Sequence, residues 1–181
     1  ARKMAEDLGV KVRFAPVPSS ELINDLIDDR FDIIITGLYV TPQRALFINF
    51  SEPSGHSEVT ILASRKESSR RKAEDFNKAG VKLGAVTGTV YADLARSRFP
   101  AAALQTFAEE AEMISALEKG SVQAVIVTHP IPEIVTRHHT DKFHVPLSEP
   151  LATFSESFAI RKGDPDFLNY VNTWLRYYNE T

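Results

Sequence analysis

Three short segments carry residue types suited to gripping a small charged molecule. The first is Thr41-Pro42-Gln43-Arg44. Thr41 is placed to N-cap a short helix, with Pro42 at the first helical position. That turn would point backbone N–H groups beyond the end of the apolar run Ile33-Ile34-Ile35. Open α/β sheets bind ligands at this strand end. Arg44 adds a planar guanidinium fork that matches a carboxylate. The same four residues also read as a capped turn with a surface arginine. The second segment, Thr87-Gly88-Thr89, lies between a short strand and a helix containing Leu94, and it offers hydroxyls, a flexible glycine and helix N-terminal N–H groups. It lacks the spacing and lysine of a P-loop, and a plain helix cap is the competing reading. The third follows Val127 and holds Thr128, His129, Pro130 and Glu133. A neutral His129 can donate to a carboxylate and Glu133 can meet an amine; each also fits a local loop role.

Other constellations carry less. His138 and His139 are adjacent, and neighbours on a helix do not share a face, so they read as a solvated pair rather than metal ligands. Asp28-Asp29 reads as a turn. Ser20, Ser54 and Ser157 have no nucleophile-elbow context. We therefore expect no metal, no cofactor and no catalytic residue.

The elements that must position these segments follow from patterning. Residues 1–9 give a short helix with Met4, Ala5 and Leu8 on one face and Gly9 as its C-terminal cap. Residues 11–17 alternate around Val12 and Phe14 and predict a strand. Ser19 or Ser20 would cap a helix carrying Leu22, Ile23, Leu26 and Ile27. After the turn at Asp28-Asp29-Arg30, residues 31–35 predict a strand buried on both faces, hence a strand–helix–strand unit with a parallel sheet. The layout returns in residues 104–127, where a strand leads to a helix with Met113, Ile114 and Leu117, closed at Gly120, and then to a second apolar strand. The stretches LIDDRFDIIIT and LEKGSVQAVIVT share one order: helix end, polar turn, apolar strand, Thr.

This repetition predicts two α/β lobes. Residues 57–64 would carry the chain across and residues 158–160 would carry it back. Asp164 and Pro165 then open a last helix with Phe167, Leu168, Val171, Trp174, Leu175 and Tyr178 in an apolar stripe. The expected first lobe is 1–59 plus 157–181 and the second is 63–150, with hinge crossings at 60–62 and 151–156. A cleft between hinged lobes is a common place for a ligand. Because the sequence opens on a helical pattern, a strand preceding residue 1 is expected to lie outside it.

Composition narrows the function classes. The 181 residues are 43% hydrophobic and 25% charged with net charge −3, so no basic field attracts nucleic acid. The basic cluster at residues 65–72 is interleaved with Glu67 and serines and reads as a solvated loop. The absence of cysteine excludes disulfides, thiolate metal sites and a Cys nucleophile. No apolar run approaches the roughly 20 residues of a membrane helix, and no signal peptide is legible.

The segment RFDIIITGLYVTPQRALFINFSEP resembles the signature of the polar amino-acid-binding proteins of ABC importers, solute-binding family 3. VKLGAVTGTVYADL resembles that family's second-lobe anion loop, and FAIRKGDPDFLNYVNTWL is similar to its return crossing and closing helix. The resemblance covers nearly the whole chain. It implies a two-lobed periplasmic-binding (Venus-flytrap) α/β fold with parallel-rich sheets, a two-strand hinge and a periplasmic or extracellular location. It implies a monomer that binds a small carboxylate or amino acid and serves a membrane permease. Arg44 would hold the ligand carboxylate, Gly37 and Tyr39 would add contacts, and Gly88 and Thr89 would grip the same carboxylate from the second lobe.

Three positions depart from the pattern. Thr128, followed by His129, stands where the family places an Asp for the α-amino group, which leaves Glu133 as a substitute. Ser19 or Ser20 replaces an aromatic residue, and Ser54 replaces a Tyr. The resemblance also places the family's first strand before residue 1 and a last segment after Thr181. DDRFDI and NYVNTWL resemble cyclohexadienyl dehydratases on the same scaffold, which would need a general acid near Glu133. A ligand-sensing domain of a signalling or cell-wall protein is the third expectation.

Overall fold

A computed structural model describes residues 1–180. The chain forms two compact units. The first is Ala1–His56 together with the chain from Ser155 onward, and the second is Ser57–Phe154.

In the first unit, α1 (Arg2–Asp7) buries Met4 and Ala5. Gly9 ends it in the left-handed region at φ +68°. Its N–H bonds Glu6 O and that of Val10 bonds Ala5 O, at 3.0 and 2.9 Å. α2 (Leu22–Ile27) buries Leu26. After the turn, β1 (Ile33–Tyr39) runs antiparallel to β7 (Ala152–Arg161), from Ile33 opposite Ile160 to Tyr39 opposite Glu156. β7 in turn lies beside β2 (Ile48–Ser64). Alternate residues of β1 serve two cores. Ile34 and Leu38 pack with Leu26, Ile48 and Ala159, while Ile33 and Ile35 face Met4, Val171 and Leu175. The last two come from α7 (Pro165–Asn179), which starts where Asp164 accepts the Phe167 N–H at 2.9 Å. Asp7 clamps α1 to α7 by accepting from Trp174 Nε1 and Tyr178 OH, both at 2.8 Å, while Lys3 Nζ meets its other oxygen at 2.6 Å.

Three expectations for this unit need correction. Residues 11–17 form no strand, and Val12 and Phe14 are 41% and 62% exposed. An alternating pattern makes a strand only when an edge receives its N–H and C=O groups. Here a hollow of about 550 Å³ lies along this segment, lined by Val10, Val12, Arg13, Phe31, Ile33 and Ile35 among others. The unit's sheet is accordingly not a parallel strand–helix–strand ladder, since β1 pairs antiparallel with the returning β7. Neither Ser19 nor Ser20 caps α2. Both lie in the preceding turn, and Glu21 occupies the cap position without a side-chain bond.

The second unit follows the predicted syntax closely. β3 (Lys82–Val86) runs parallel to β4 (Ala103–Phe107) and to β5 (Ala124–Thr128). β2 continues here antiparallel to β5, from Val59 opposite Thr128 to Ala63 opposite Ala124. The two-residue β6 (Phe143–His144) flanks β2. α4 (Val90–Arg98) and α5 (Glu110–Lys119) make the connections, and Gly120 at φ +76° closes α5. β5 is buried on both faces. Ala124 and Ile126 join Val59, Ile61 and Leu83, while Val125 and Val127 join Leu62, Met113 and Leu117. Gly84 makes this layer fit, because a Cβ there would lie 2.9 Å from Val125 Cγ1. The basic cluster is tied locally, with Arg70 Nε on Glu67 at 2.6 Å.

Candidate functional site

In the first unit, β1 delivers its C-terminal end directly to the Thr-Pro-Gln-Arg turn. Thr41 adopts extended backbone angles and its Oγ1 accepts the Arg44 N–H at 3.2 Å, capping α3 (Pro42–Ala45) as the residue types predict. The Arg44 side chain folds back over this turn, and its Nη1 donates to Tyr39 O at 3.0 Å. This contact fixes the guanidinium at the end of β1, with the planar donor geometry that recognises carboxylates. Gly37 sits two residues before Tyr39 at φ +68°. The backbone angle requires glycine, and a Cβ there would stand 2.7 Å from Oε2 at the end of the Glu156 side chain. Ser54 Oγ donates to Glu156 O at 3.2 Å, and Val40 N–H bonds Ser155 O at 3.2 Å. Gly37, Tyr39 and Arg44 are thus gathered in one region of this unit, together with Glu156.

In the second unit, β3 and β5 are parallel, so the loops that follow them leave the same edge of the sheet. Gly88 turns the first loop at φ +75°. The Thr89 hydroxyl donates to Val86 O at 2.6 Å. That engages the hydroxyl hydrogen within the loop that opens α4. At the end of β5, Thr128 Oγ1 and His129 N–H both donate to Glu58 O, at 3.0 and 3.2 Å. The His129 Nδ1 meets the carboxylate of Glu133, in the first turn of α6 (Ile131–His138), and its Nε2 lies 3.8 Å from the Glu58 carboxylate. The structure therefore groups Thr128, His129 and Glu133 and adds Glu58 to them. The Gly88–Thr89 loop shares their unit, whereas Gly37, Tyr39 and Arg44 belong to the other.

Sequence reasoning missed Glu58 and Glu156. Glu58 lies in the crossing strand opposite the end of β5, a register that no local pattern announces. Glu156 is one acid in the run Ser155-Glu156-Ser157, and only the pairing of β7 with β1 brings it against Gly37. Among the described residues no cluster of His, Cys, Asp or Glu is built to hold a metal ion. The His139 ring packs edge-on to Phe143, with ring centres 6.0 Å apart. No described helix is long and apolar enough to cross a membrane.

Comparison with known proteins gives this arrangement its context. The model of the bacterial extracellular solute-binding proteins, family 3, matches residues 1–181. The chain belongs to that family. Its curated relatives include the L-cystine-binding protein TcyJ of Escherichia coli, 24% identical over 95% of this chain and 64% of the relative. They also include the glutamine-binding protein GlnH of Bacillus subtilis, 24% identical over 97% of this chain and 64% of the relative. The cyclohexadienyl dehydratase of Pseudomonas aeruginosa is 24% identical over 97% of this chain and 65% of that enzyme. The chain thus spans a little under two thirds of these relatives.

Among solved structures, the ancestral amino acid-binding protein AncCDT-1, a precursor of cyclohexadienyl dehydratase, superimposes with a TM-score of 0.91 at 31% identity. The match covers 99% of this chain and 77% of that one. A candidate binding component of an ABC transporter from Wolinella succinogenes, complexed with lysine, gives 0.89 at 29% identity over the same shares. The fold is the two-lobed α/β fold of amino-acid-binding proteins. This family 3 chain carries it with a mixed, open sheet.

Proposed function

We propose that this family 3 protein binds a small carboxylate-bearing solute, an amino acid foremost, outside the cytoplasm and presents it to the membrane permease of an ABC importer. It would act as a monomer, without nucleic acid or cofactor. The observation that carries this reading is Arg44, capped in place by Thr41 and drawn to the end of β1 by Tyr39 O. A guanidinium so fixed pays little additional ordering cost when it takes a carboxylate in two parallel hydrogen bonds. Gly37 and Tyr39 border it. In the second unit the Gly88–Thr89 turn opens α4, and Thr128 and His129 stand at the end of the neighbouring β5. The likeness to a cystine-binding, a glutamine-binding and a lysine-complexed protein supports an amino acid as solute.

A panel of L-amino acids, each paired with the same molecule lacking the α-amino group, tests the reading by thermal unfolding. At about 100 times the dissociation constant a bound solute adds roughly 2.7 kcal/mol, an upward shift of several degrees at this size. Absence of a shift with every member of the panel would contradict the reading.

A further inference from the structure

We infer that Glu156 is the group that recognises the α-amino group of the solute and excludes acids that lack one; the inference rests on the Arg44 carboxylate reading. Tyr39 is the common neighbour of the two charges. Its carbonyl holds Arg44 Nη1 at 3.0 Å, and it stands opposite Glu156 in the antiparallel β1–β7 pair. In such a pair the facing Cα atoms lie about 5 Å apart and their side chains stand on the same face. The Glu156 carboxylate leans over Gly37, where it occupies the space a Cβ would need, and a Cβ on Gly55 would come 3.9 Å from the same Oε2. Gly37 therefore leaves room for the carboxylate beside Tyr39, whose carbonyl holds Arg44. An α-amino acid carries its carboxylate and its ammonium on a single carbon. A cation and an anion flanking Tyr39 match that pairing from within one unit.

The other candidates for the ammonium, Thr128 and Glu133, do not belong to the unit that holds Arg44 and Glu156. Thr128 carries no charge and its hydroxyl donates to Glu58 O. Glu133 is engaged with His129, which also stands 3.8 Å from Glu58. Glu156 would moreover discriminate in both directions. It attracts an ammonium and repels a simple carboxylate anion, so selectivity comes from a repulsive element as well as an attractive one.

The test is titration calorimetry on the 181-residue chain with L-arginine against 5-guanidinopentanoate and L-lysine against 6-aminohexanoate. L-glutamine against glutaramic acid completes the set. The wild-type protein should prefer the aminated member of the pair it binds by about tenfold or more, the size of a partly desolvated charge pair. Glu156→Gln should reduce that ratio to about twofold, by weakening the amino acid and strengthening the deaminated acid. Its unfolding temperature without ligand, measured alongside, separates a loss of recognition from a loss of fold. Glu149→Gln, an exposed loop substitution with the same charge change, should keep the wild-type ratio. A Glu156→Gln protein that retains the preference overturns the inference. Wild-type binding of the deaminated acids alone overturns it too, while leaving the Arg44 reading standing. Wild-type binding of neither class overturns both.

Discussion

The two units begin from nearly the same sentence of sequence and end as differently supported sheets. In the second unit, the strand after the polar turn is β5, paired with β2 on one side and β3 on the other, with Ala124, Val125, Ile126 and Val127 all buried. In the first unit the equivalent strand, β1, is an edge paired only with β7, and residues 11–17 form no strand. The helix–turn–strand syntax is local and forms in both. What differs is the second edge, which depends on which distant segment arrives. Ladder formation thus separates the units more than propensity does.

The largest consequence is in local stability. Amides of residues 124–127 should exchange with deuterium only through openings close to global unfolding, whereas amides of residues 11–17 should exchange almost freely. The gap is on the order of 5 kcal/mol or more in opening free energy. Equal protection of the two segments in a hydrogen-exchange experiment would erase the distinction.

Side-chain deletion should follow the same order. Ile126→Ala removes a fully buried side chain between two sheet partners and should cost about 2–5 kcal/mol in chemical denaturation. Ile35→Ala, half-buried on the edge strand, should cost roughly half as much, since less apolar area is lost. A larger loss at Ile35 would place the stronger core in the first unit.

Acid should separate the units by a smaller amount. Burial of the His144 imidazole, with Arg65 and Arg71 nearby, lowers its pKa. The unfolded chain therefore takes up the proton first. Stability of the second unit should be level above about pH 6.5 and decline below it, by at most ~1.4 kcal/mol per pH unit. In the first unit the Asp7 carboxyl is held down to about 2 by the hydrogen bonds from Lys3, Trp174 and Tyr178. Its contribution is complete above the unfolded value near 3.9 and disappears only as pH falls through about 2. Trp174 is the sole tryptophan and reports the first unit by fluorescence. Circular dichroism follows the whole chain. A His144→Asn protein whose pH dependence equals that of the wild type would remove this difference.

The same contrast explains what could be read in advance. Caps and stripes depend on residues within one turn of each other, so Thr41, Gly120, Asp164 and the α7 stripe were legible. In the second unit β3 and β5 were legible because each is an apolar run buried on both faces, whereas β4 is largely exposed. The strand expected at residues 11–17 was not realised, because its pattern specifies a face and not a partner. The turn chemistry of Arg44 was visible in the types Thr-Pro-x-Arg. Glu156 was not visible, since its place beside Gly37 is created by pairing across more than a hundred residues. The bond from the Thr89 hydroxyl to Val86 O was not visible either, since it depends on how the loop folds back on β3.

Arg44 is the proposed anchor of a solute carboxylate. The most direct measurement is calorimetric titration of the wild-type and Arg44→Ala proteins with the solute that stabilises the wild type most. The account predicts a loss of at least about thirtyfold in affinity, the lower end of removing one partner of a desolvated charge pair, with the unfolding temperature of the free protein little changed. An Arg44→Ala protein that binds the same solute with unchanged affinity would contradict it.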